Sequence, residues 1–187
     1  MPVRSLRAAA FGTEVFDITG GATLTERIAD FASPLTRMLL SGDGLTTTAL
    51  HALTGAAPRV RLLRADRIPA GRAGRPVPAL LEIGEEQDVL ARHSALTGPG
   101  GRWLSVNQVV ARDDLLPGIR PLLADGRLPI GAALHAAGTG HRRTVLDVGR
   151  RRWPSGEPAC YKTYLLWHGD RPLVLVNELF HPSLVSP

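Results

Sequence analysis

Two segments of the sequence each contain a pair of strand-like runs joined by a short turn, and these two hairpins constrain the fold more than any other feature. The first is DVLARHSALTGPGGRWLSVNQVVA, residues 88–111, with its turn at Gly98-Pro99-Gly100-Gly101. The second is CYKTYLLWHGDRPLVLVNELF, residues 160–180, which turns at His168-Gly169-Asp170. Runs of β-branched and aliphatic residues around a glycine-containing turn are typical of β-hairpins. Consecutive hairpins predict a largely antiparallel sheet.

The stretch TLTERIADFASPLTRMLLSGDGLTTTALHALTG, residues 23–55, has apolar residues at helical spacing and predicts two or three short helices. Thr23 and Glu26 form a capping-box pattern at its start. Pro34 can break the first part in two. A further helix is expected from about Leu45 to Leu53, ended by Gly55.

The remaining segments complete the predicted fold. RVRLLRADR, residues 59–67, alternates like a strand, whereas DRIPAGRAGRPVP, residues 66–78, predicts an irregular loop. Residues 116–138 predict two short helical pieces separated by Gly126 to Pro129, and residues 150–160 predict a loop. The expected fold class is α+β, with helices packed on the sheet in one domain that spans residues 1–187, the first 20 or so residues being an irregular extension.

Composition and charge argue against several classes of protein. The 187 residues carry a net charge of +5, nearly all from arginine, because Lys162 is the only lysine. No nucleic-acid motif and no interleaved aromatic and basic stripe is present, so we expect no nucleic-acid partner, although the positive charge favours a small anionic substrate. The N-terminus lacks the apolar core of a signal peptide, and no apolar stretch approaches the roughly 20 residues of a membrane span. We therefore expect no membrane partner and a cytoplasmic protein, either a monomer or a small homo-oligomer.

No metal or cofactor is expected either. Cys160 is the only cysteine, which excludes an intramolecular disulfide and a cysteine-based zinc site. The six histidines show no HExxH spacing, and the chain has neither a GxSxG elbow nor a P-loop.

Two charged residues lie inside otherwise apolar strands. Side chains alternate along a strand, so Glu178 shares a face with Val174, Val176 and Phe180. A carboxylate on the inner face must be paired or hydrogen-bonded, because its burial otherwise costs several kcal/mol. Arg92 is likewise a charged residue inside an otherwise apolar strand of the first hairpin. Three explanations of the two charges remain open. They form a structural ion pair, they bind a ligand with an anionic end and a hydroxyl end, or each side chain is exposed to water.

Four short blocks of the sequence resemble the chorismate pyruvate-lyase family, the enzymes that make 4-hydroxybenzoate. These blocks follow the family's order with comparable spacing, over a region from about Met38 to Pro182, and read GDGLTTTAL, VLARHSAL, LPIGAAL and LVLVNELF. The resemblance implies a six-stranded antiparallel sheet with an internal cavity closed by two helical flaps. It also implies a carbon–oxygen lyase that eliminates pyruvate from chorismate without a cofactor, because aromatisation of the ring drives the reaction.

The resemblance also implies roles for individual residues. Arg92 would bind the ring carboxylate, completed by backbone amides near Leu45 and Ile130, and Glu178 would contact the ring hydroxyl and act as general acid or base. Lys162 lies near a family arginine and would bind the enolpyruvyl carboxylate. The chain departs from the family at His93, where an acidic residue is common, and at Asn177, where Thr is common.

Two alternatives to the lyase remain open from the sequence. One is an enzyme of secondary metabolism on the same scaffold, acting on amino-deoxychorismate or a natural-product intermediate. The other is a non-catalytic domain of related fold that binds a small anion and relays the binding to a partner. Against the second, such domains usually come fused to a DNA-binding module, for which 187 residues leave no room.

Overall fold

A computed structural model of the chain describes residues 13–18, 20–114, 121, 128–136 and 141–187. Two short 3-10 helices cover Thr13–Phe16 and Pro99–Gly101. The α-helices are α1 (Leu24–Ala29), α2 (Pro34–Ser41), α3 (Thr46–Thr54), α4 (Ala70–Ala73), α5 (Val77–Leu81) and α6 (Ile130–Ala136). The strands are β1 (Arg59–Pro69), β2 (Asp88–Thr97), β3 (Trp103–Arg112), β4 (His141–Arg152), β5 (Pro158–His168) and β6 (Arg171–Phe180).

The strands form one six-stranded sheet of order β1-β2-β3-β6-β5-β4, in which every neighbouring pair is antiparallel. The predicted hairpins are β2–β3 and β5–β6, and both are confirmed. They are joined through the pairing of β3 with β6, which makes these the central strands. The predicted α+β fold with a six-stranded antiparallel sheet is therefore confirmed.

The helices at the start of the described chain begin and end where the sequence predicts. Thr23 and Glu26 make both hydrogen bonds of the capping box before α1. The Ser33 hydroxyl accepts a hydrogen bond from the Thr36 amide, and Pro34 occupies the first turn of α2, where no intrahelical donor is needed. Gly55 ends α3 with a φ of 70°, a left-handed conformation that glycine adopts without strain.

Helices cover both faces of the sheet. On one face, which we call the cavity face, α2, α3 and α6 lie over alternate residues of the strands. Leu40 and Leu50 pack there on Leu96 and Phe180, and Leu134 packs in a second cluster with Val109. On the other face α4 and α5 cover a third cluster, formed by Ala70, Ala73, Val77, Leu81, Val89, Val110, Leu165 and Leu175. The central strands are buried on both sides, which explains why they lack a strict apolar–polar alternation.

The structure corrects two predictions of local structure. The expected irregular loop over residues 66–78 contains α4 and the first two residues of α5, because the alanine and valine side chains there bury against the sheet despite the Pro and Gly residues around them. The expected loop over residues 150–160 is shorter, since β4 continues to Arg152 and β5 begins at Pro158.

Two other predictions concern the segment of residues 116–138 and the lack of a membrane-spanning segment. The first helical piece expected between residues 116 and 125 falls almost entirely outside the described residues, whereas the second is α6. Among the described helices, none combines the length and the apolar character needed to cross a membrane.

His93, one of the departures from the resembled family, lies on the face of β2 opposite the cavity face. Its backbone pairs with Arg64 on β1 and with Gln108 on β3. Burial lowers the pKa of His93 from 6.5 to about 4, and the nearby Arg64 adds to this, while Asp66 opposes it. The imidazole is therefore neutral in the folded protein at pH values where it is protonated in the unfolded chain.

This difference predicts a loss of stability on mild acidification. Between about pH 6.5 and about pH 4 the unfolded chain binds a proton at His93 and the folded chain does not, so the free energy of unfolding falls as pH falls through this window. Because the ring keeps some contact with water, we expect a contribution of about 1–2 kcal/mol, less than the full shift would give.

Urea unfolding at about pH 7 and about pH 4.5 measures the effect. His93→Gln should reduce the difference between the two conditions, whereas His51→Gln, at an exposed position on α3, should leave it as in the wild type. Equal pH dependence in the wild type and His93→Gln would contradict the expectation.

Candidate functional site

A partly covered cavity lies on the cavity face of the sheet, between the two apolar clusters and beneath the first residues of α3 and α6. Its free volume is about 40 Å³, which holds only a few water molecules. A ligand with more than a few heavy atoms therefore extends out of this volume or displaces the covering segments. The residues that line the cavity are Leu45, Thr46, Thr47, Val60, Arg92, Ser94, Leu96, Asn107, Val109, Pro129, Ile130, Gly131, Arg143, Tyr164, Val176 and Glu178.

The floor of the cavity consists of two rows of side chains that run across the sheet. One row joins Arg92, Val109, Val176 and Tyr164, which are successive partners in the strand register. The next row joins Ser94, Asn107 and Glu178, and Lys162 follows Glu178 in the register without lining the cavity. Strands lie about 4.8 Å apart and rise about 3.4 Å per residue, so the Cα atoms of Arg92 and Glu178 are roughly 12 Å apart. The two charges thus occupy separate ends of the floor.

Arg92 supplies the positive charge at one end of the floor. It is 1% exposed, the largest side chain among the fully buried residues. Its Nη2 atom donates a hydrogen bond of 3.2 Å to the carbonyl of Leu128, which ties it to the segment leading into α6. A guanidinium at such depth acts on a neighbouring anion with little screening by water.

Arg143, on β4, brings a second guanidinium to the cavity. Its Nη1 atom donates to the carbonyls of Gly44 and, at 3.5 Å, Asp43, in the turn before α3. A Cβ atom on Gly131 would lie 2.5 Å from Arg143 Nη2 and 2.8 Å from Leu45 Cδ2. The absence of a side chain at residue 131 therefore allows α6 to approach Arg143 and the start of α3 closely.

The start of α3 forms part of the cover of the cavity. Its N-cap residue is Leu45, whose apolar side chain cannot accept a hydrogen bond from the first amides of the helix. The first amides of an uncapped helix carry partial positive charge and favour a neighbouring anion. Leu45 and Ile130 both line the cavity, at the beginnings of α3 and α6, as the resemblance implied. Contact of their backbone amides with a ligand stays a prediction.

Glu178 is held at the other end of the floor by protein donors. It is 5% exposed, and its Oε2 atom accepts a hydrogen bond of 2.7 Å from the Thr46 hydroxyl. The Tyr164 hydroxyl also interacts with this carboxylate, and the pKa of Tyr164 is raised well above 10.0, first by burial and then by the charge of Glu178. The carboxylate therefore connects the floor to the first residue of α3.

Lys162 lies outside the cavity lining, although it is the strand partner of Glu178. Its Nζ atom donates to the carbonyls of Leu39 and Gly42, both at 3.0 Å, at the end of α2. Burial lowers the pKa of Lys162, and the charge of Glu178 opposes this. The ammonium group thus satisfies the last carbonyls of a helix, where a cation is favoured.

Asn107 is a buried polar residue in the middle of the floor. It is 6% exposed, and its Oδ1 atom has no hydrogen-bond partner among the residues that the structure describes. A buried acceptor left in this state costs about 1–3 kcal/mol of stability.

The structure brings four of the five predicted site residues into one cavity and places the fifth beside it. Arg92, Glu178, Leu45 and Ile130 line the cavity, and Lys162 does not. The sequence analysis missed Arg143, Tyr164 and Asn107. Asn107 could have been found from its position in an apolar strand, the signal that led to Arg92 and Glu178. Arg143 gave no such signal, since it stands among other arginines in β4.

Comparisons with known proteins find a similar fold in domains of transcriptional regulators. Neither a protein-family model nor a curated protein matches the sequence. Among solved structures, the effector domain of PhnF from Mycobacterium smegmatis is similar, with 16% identity over 76% of this chain and 91% of that chain, at a TM-score of 0.60. The C-terminal domain of the histidine utilization repressor from Pseudomonas syringae pv. tomato matches with 14% identity over 68% and 93% of the two chains, at a TM-score of 0.53. A GntR-family transcriptional regulator from Bacillus cereus matches with 10% identity over 67% and 92%, at 0.53.

These findings correct the functional prediction. The chorismate-lyase-like fold is shown, but the prediction of an enzyme that converts chorismate to 4-hydroxybenzoate and pyruvate is wrong, because the solved structures named above belong to transcriptional regulators. The enzyme roles given to Glu178, Arg92 and Lys162 fall with it. The physical reason is that one fold serves unrelated functions, and a buried arginine opposite a carboxylate suits binding as well as catalysis.

Proposed function

We propose that this chain is an effector-binding domain, which binds a small anion without converting it and passes the binding to a partner. The observation that carries the proposal is the guanidinium of Arg92, which is 1% exposed and lines the cavity. A guanidinium so well shielded from water attracts a small anion strongly, because little solvent screens its charge.

The other groups around the cavity support an anion. Arg143 brings a second guanidinium, and the uncapped start of α3 brings backbone amides. An arginine fork holds a carboxylate or phosphate with two parallel hydrogen bonds, and such bonds are strong where water is excluded. In this proposal Arg92 binds the anionic group, with the amides near Leu45 and Ile130 beside it.

Glu178 gives the site a second end. Thr46 and Tyr164 already donate hydrogen bonds to Glu178, which hold its carboxylate in the cavity. There the carboxylate can repel the negative group of a ligand that enters in the reverse orientation. The proposed ligand therefore lies with its negative group toward Arg92 and a neutral or positive group toward Glu178.

The turn between α2 and α3 can transmit ligand binding to the surface of the protein. At the start of this turn Lys162 donates hydrogen bonds to the carbonyls of Leu39 and Gly42, and at its end Arg143 donates to those of Asp43 and Gly44. An anion that attracts Arg143 would weaken the hydrogen bonds from Arg143 to the carbonyls of Asp43 and Gly44 and so shift the start of α3. In a transcriptional regulator the partner that responds would be a DNA-binding domain.

Isothermal titration of the full chain with a panel of small anions tests the proposal. The panel includes phosphate, sulfate, short carboxylates, aromatic acids and sugar phosphates. We expect saturable 1:1 binding of at least one anion, weaker at high salt, with the ligand recovered unchanged by chromatography. Absence of saturable binding across the panel, or chemical conversion of a bound ligand, would overturn the proposal.

A further inference from the structure

The cavity also contains the polar side chain of Asn107, in the middle of its floor. The Oδ1 atom of Asn107 is an acceptor on a residue that is 94% buried, without a partner among the described residues. Its strand partners on either side, Ser94 and Glu178, both line the cavity. Because side chains alternate along a strand, Asn107 shares their face of the sheet and is directed toward the cavity.

The neighbours of Asn107 differ from it in hydrogen bonding. Glu178 accepts from the Thr46 hydroxyl at 2.7 Å, whereas no donor among the residues that the structure describes reaches the acceptor of Asn107. Arg92 and Arg143, the cations of the cavity, are donors only. Asn107 is thus a neutral acceptor that a ligand can reach from the anion site.

We propose that Asn107 is a specificity-determining residue, which selects an anion that also carries an O–H or N–H donor. This inference rests on the proposed function, since it concerns the same cavity and an anionic ligand. Anions without a donor leave the acceptor unpaired when they enter, whereas hydroxylated, amino-substituted or protonated anions satisfy it. The ligand class is therefore a small carboxylate or phosphate with at least one donor close to its charge.

Hydrogen phosphate and sulfate are the sharpest pair of probes. Both are tetrahedral dianions of similar size at about pH 8, but only hydrogen phosphate has an O–H donor. We expect the wild-type chain to bind phosphate about 10- to 100-fold more tightly than sulfate, the range given by one buried acceptor paired or left unpaired. Lactate and propanoate, which differ by one hydroxyl, form a second pair and should show the same order.

Asn107→Leu removes the acceptor at nearly constant volume. In this variant the preference for phosphate over sulfate should fall to about threefold or less, mainly through weaker phosphate binding. The unliganded variant should also unfold at the same or a higher temperature, because an unpaired acceptor is replaced by an apolar group. Asn107→Ala serves as a second variant should Asn107→Leu fail to fold.

Gln108→Leu is the matched control. Gln108 is the next residue of β3, is 8% exposed and also has an acceptor, Oε1, without a partner in the described part of the chain, but its side chain lies on the opposite face of the sheet. This variant should keep the wild-type preference. A wild-type chain that binds anions without preferring donors, or an Asn107 variant that keeps the preference, would overturn this inference alone. A wild-type chain that binds no anion of the full panel would overturn the proposed function as well.

Discussion

Replacing Arg92 with Gln is expected to weaken anion binding by about 30- to 1000-fold, the cost of losing an arginine fork in a site that excludes water. The side chain is 1% exposed and lines the cavity, so water cannot take over its interaction with a ligand. The loss should appear in the titration as a lower affinity at unchanged stoichiometry. Phosphate and a short carboxylate should be affected alike, because both are bound through their charge.

Two further variants test whether affinity depends on the two parallel hydrogen bonds from Arg92 or on positive charge alone. Arg92→Lys keeps the positive charge but cannot form two parallel hydrogen bonds, so we expect an intermediate loss. Arg61→Gln removes an exposed arginine of β1 and should change affinity by less than about twofold. Circular dichroism and thermal unfolding establish that each variant is folded. A folded Arg92→Gln protein with wild-type affinity would contradict the assignment of Arg92 to the anion.

The fold was largely predictable because its signals are local. Glycine-containing turns between apolar runs mark β2–β3 and β5–β6, and Thr23, Pro34 and Gly55 mark helix ends. The helices α4 and α5 were not predictable in this way. Their residues have weak local preference for a helix, and burial of Val77 and Leu81 against the sheet stabilises them instead.

The site was predictable where a charge stood out against apolar neighbours, as at Arg92 and Glu178. Lys162 also stood out as the only lysine, but its ammonium group caps the end of α2 outside the cavity. Composition indicates that a residue is unusual and does not show which partner it has. Arg143 reaches the cavity only because the sheet places β4 beside β5, a long-range arrangement that no local pattern encodes.

The prediction of a lyase rests on four short blocks that resemble a lyase family, and the length of 187 residues weighs against the alternative of an effector domain. Length does not separate the two classes, since the matched PhnF effector domain is mostly covered by this chain. What the sequence did indicate was a buried site for a small anion, which an enzyme and an effector domain of this fold can share.

The second large effect is expected at a buried ion pair that fastens α1 to the sheet. Arg27 of α1 forms an ion pair with Asp147 of β4, whose side chain is 1% exposed, and the Tyr161 hydroxyl donates to Asp147 at 2.8 Å. Arg27→Met leaves the carboxylate buried without its cation, so we expect the free energy of unfolding to fall by about 3–5 kcal/mol. Urea unfolding at neutral pH measures the change.

Removing the carboxylate of this ion pair should cost less stability than removing its cation. In Asp147→Asn the arginine, which is 18% exposed, can turn toward water, so the loss should be about 1–2 kcal/mol. The double variant Arg27→Met/Asp147→Asn buries no charge and should be more stable than Arg27→Met alone. As a control, Arg64→Met breaks the exposed pair with Asp66 and should change stability by less than about 1 kcal/mol. A double variant no more stable than Arg27→Met would mean that Arg27 acts through packing and not through the charge of Asp147.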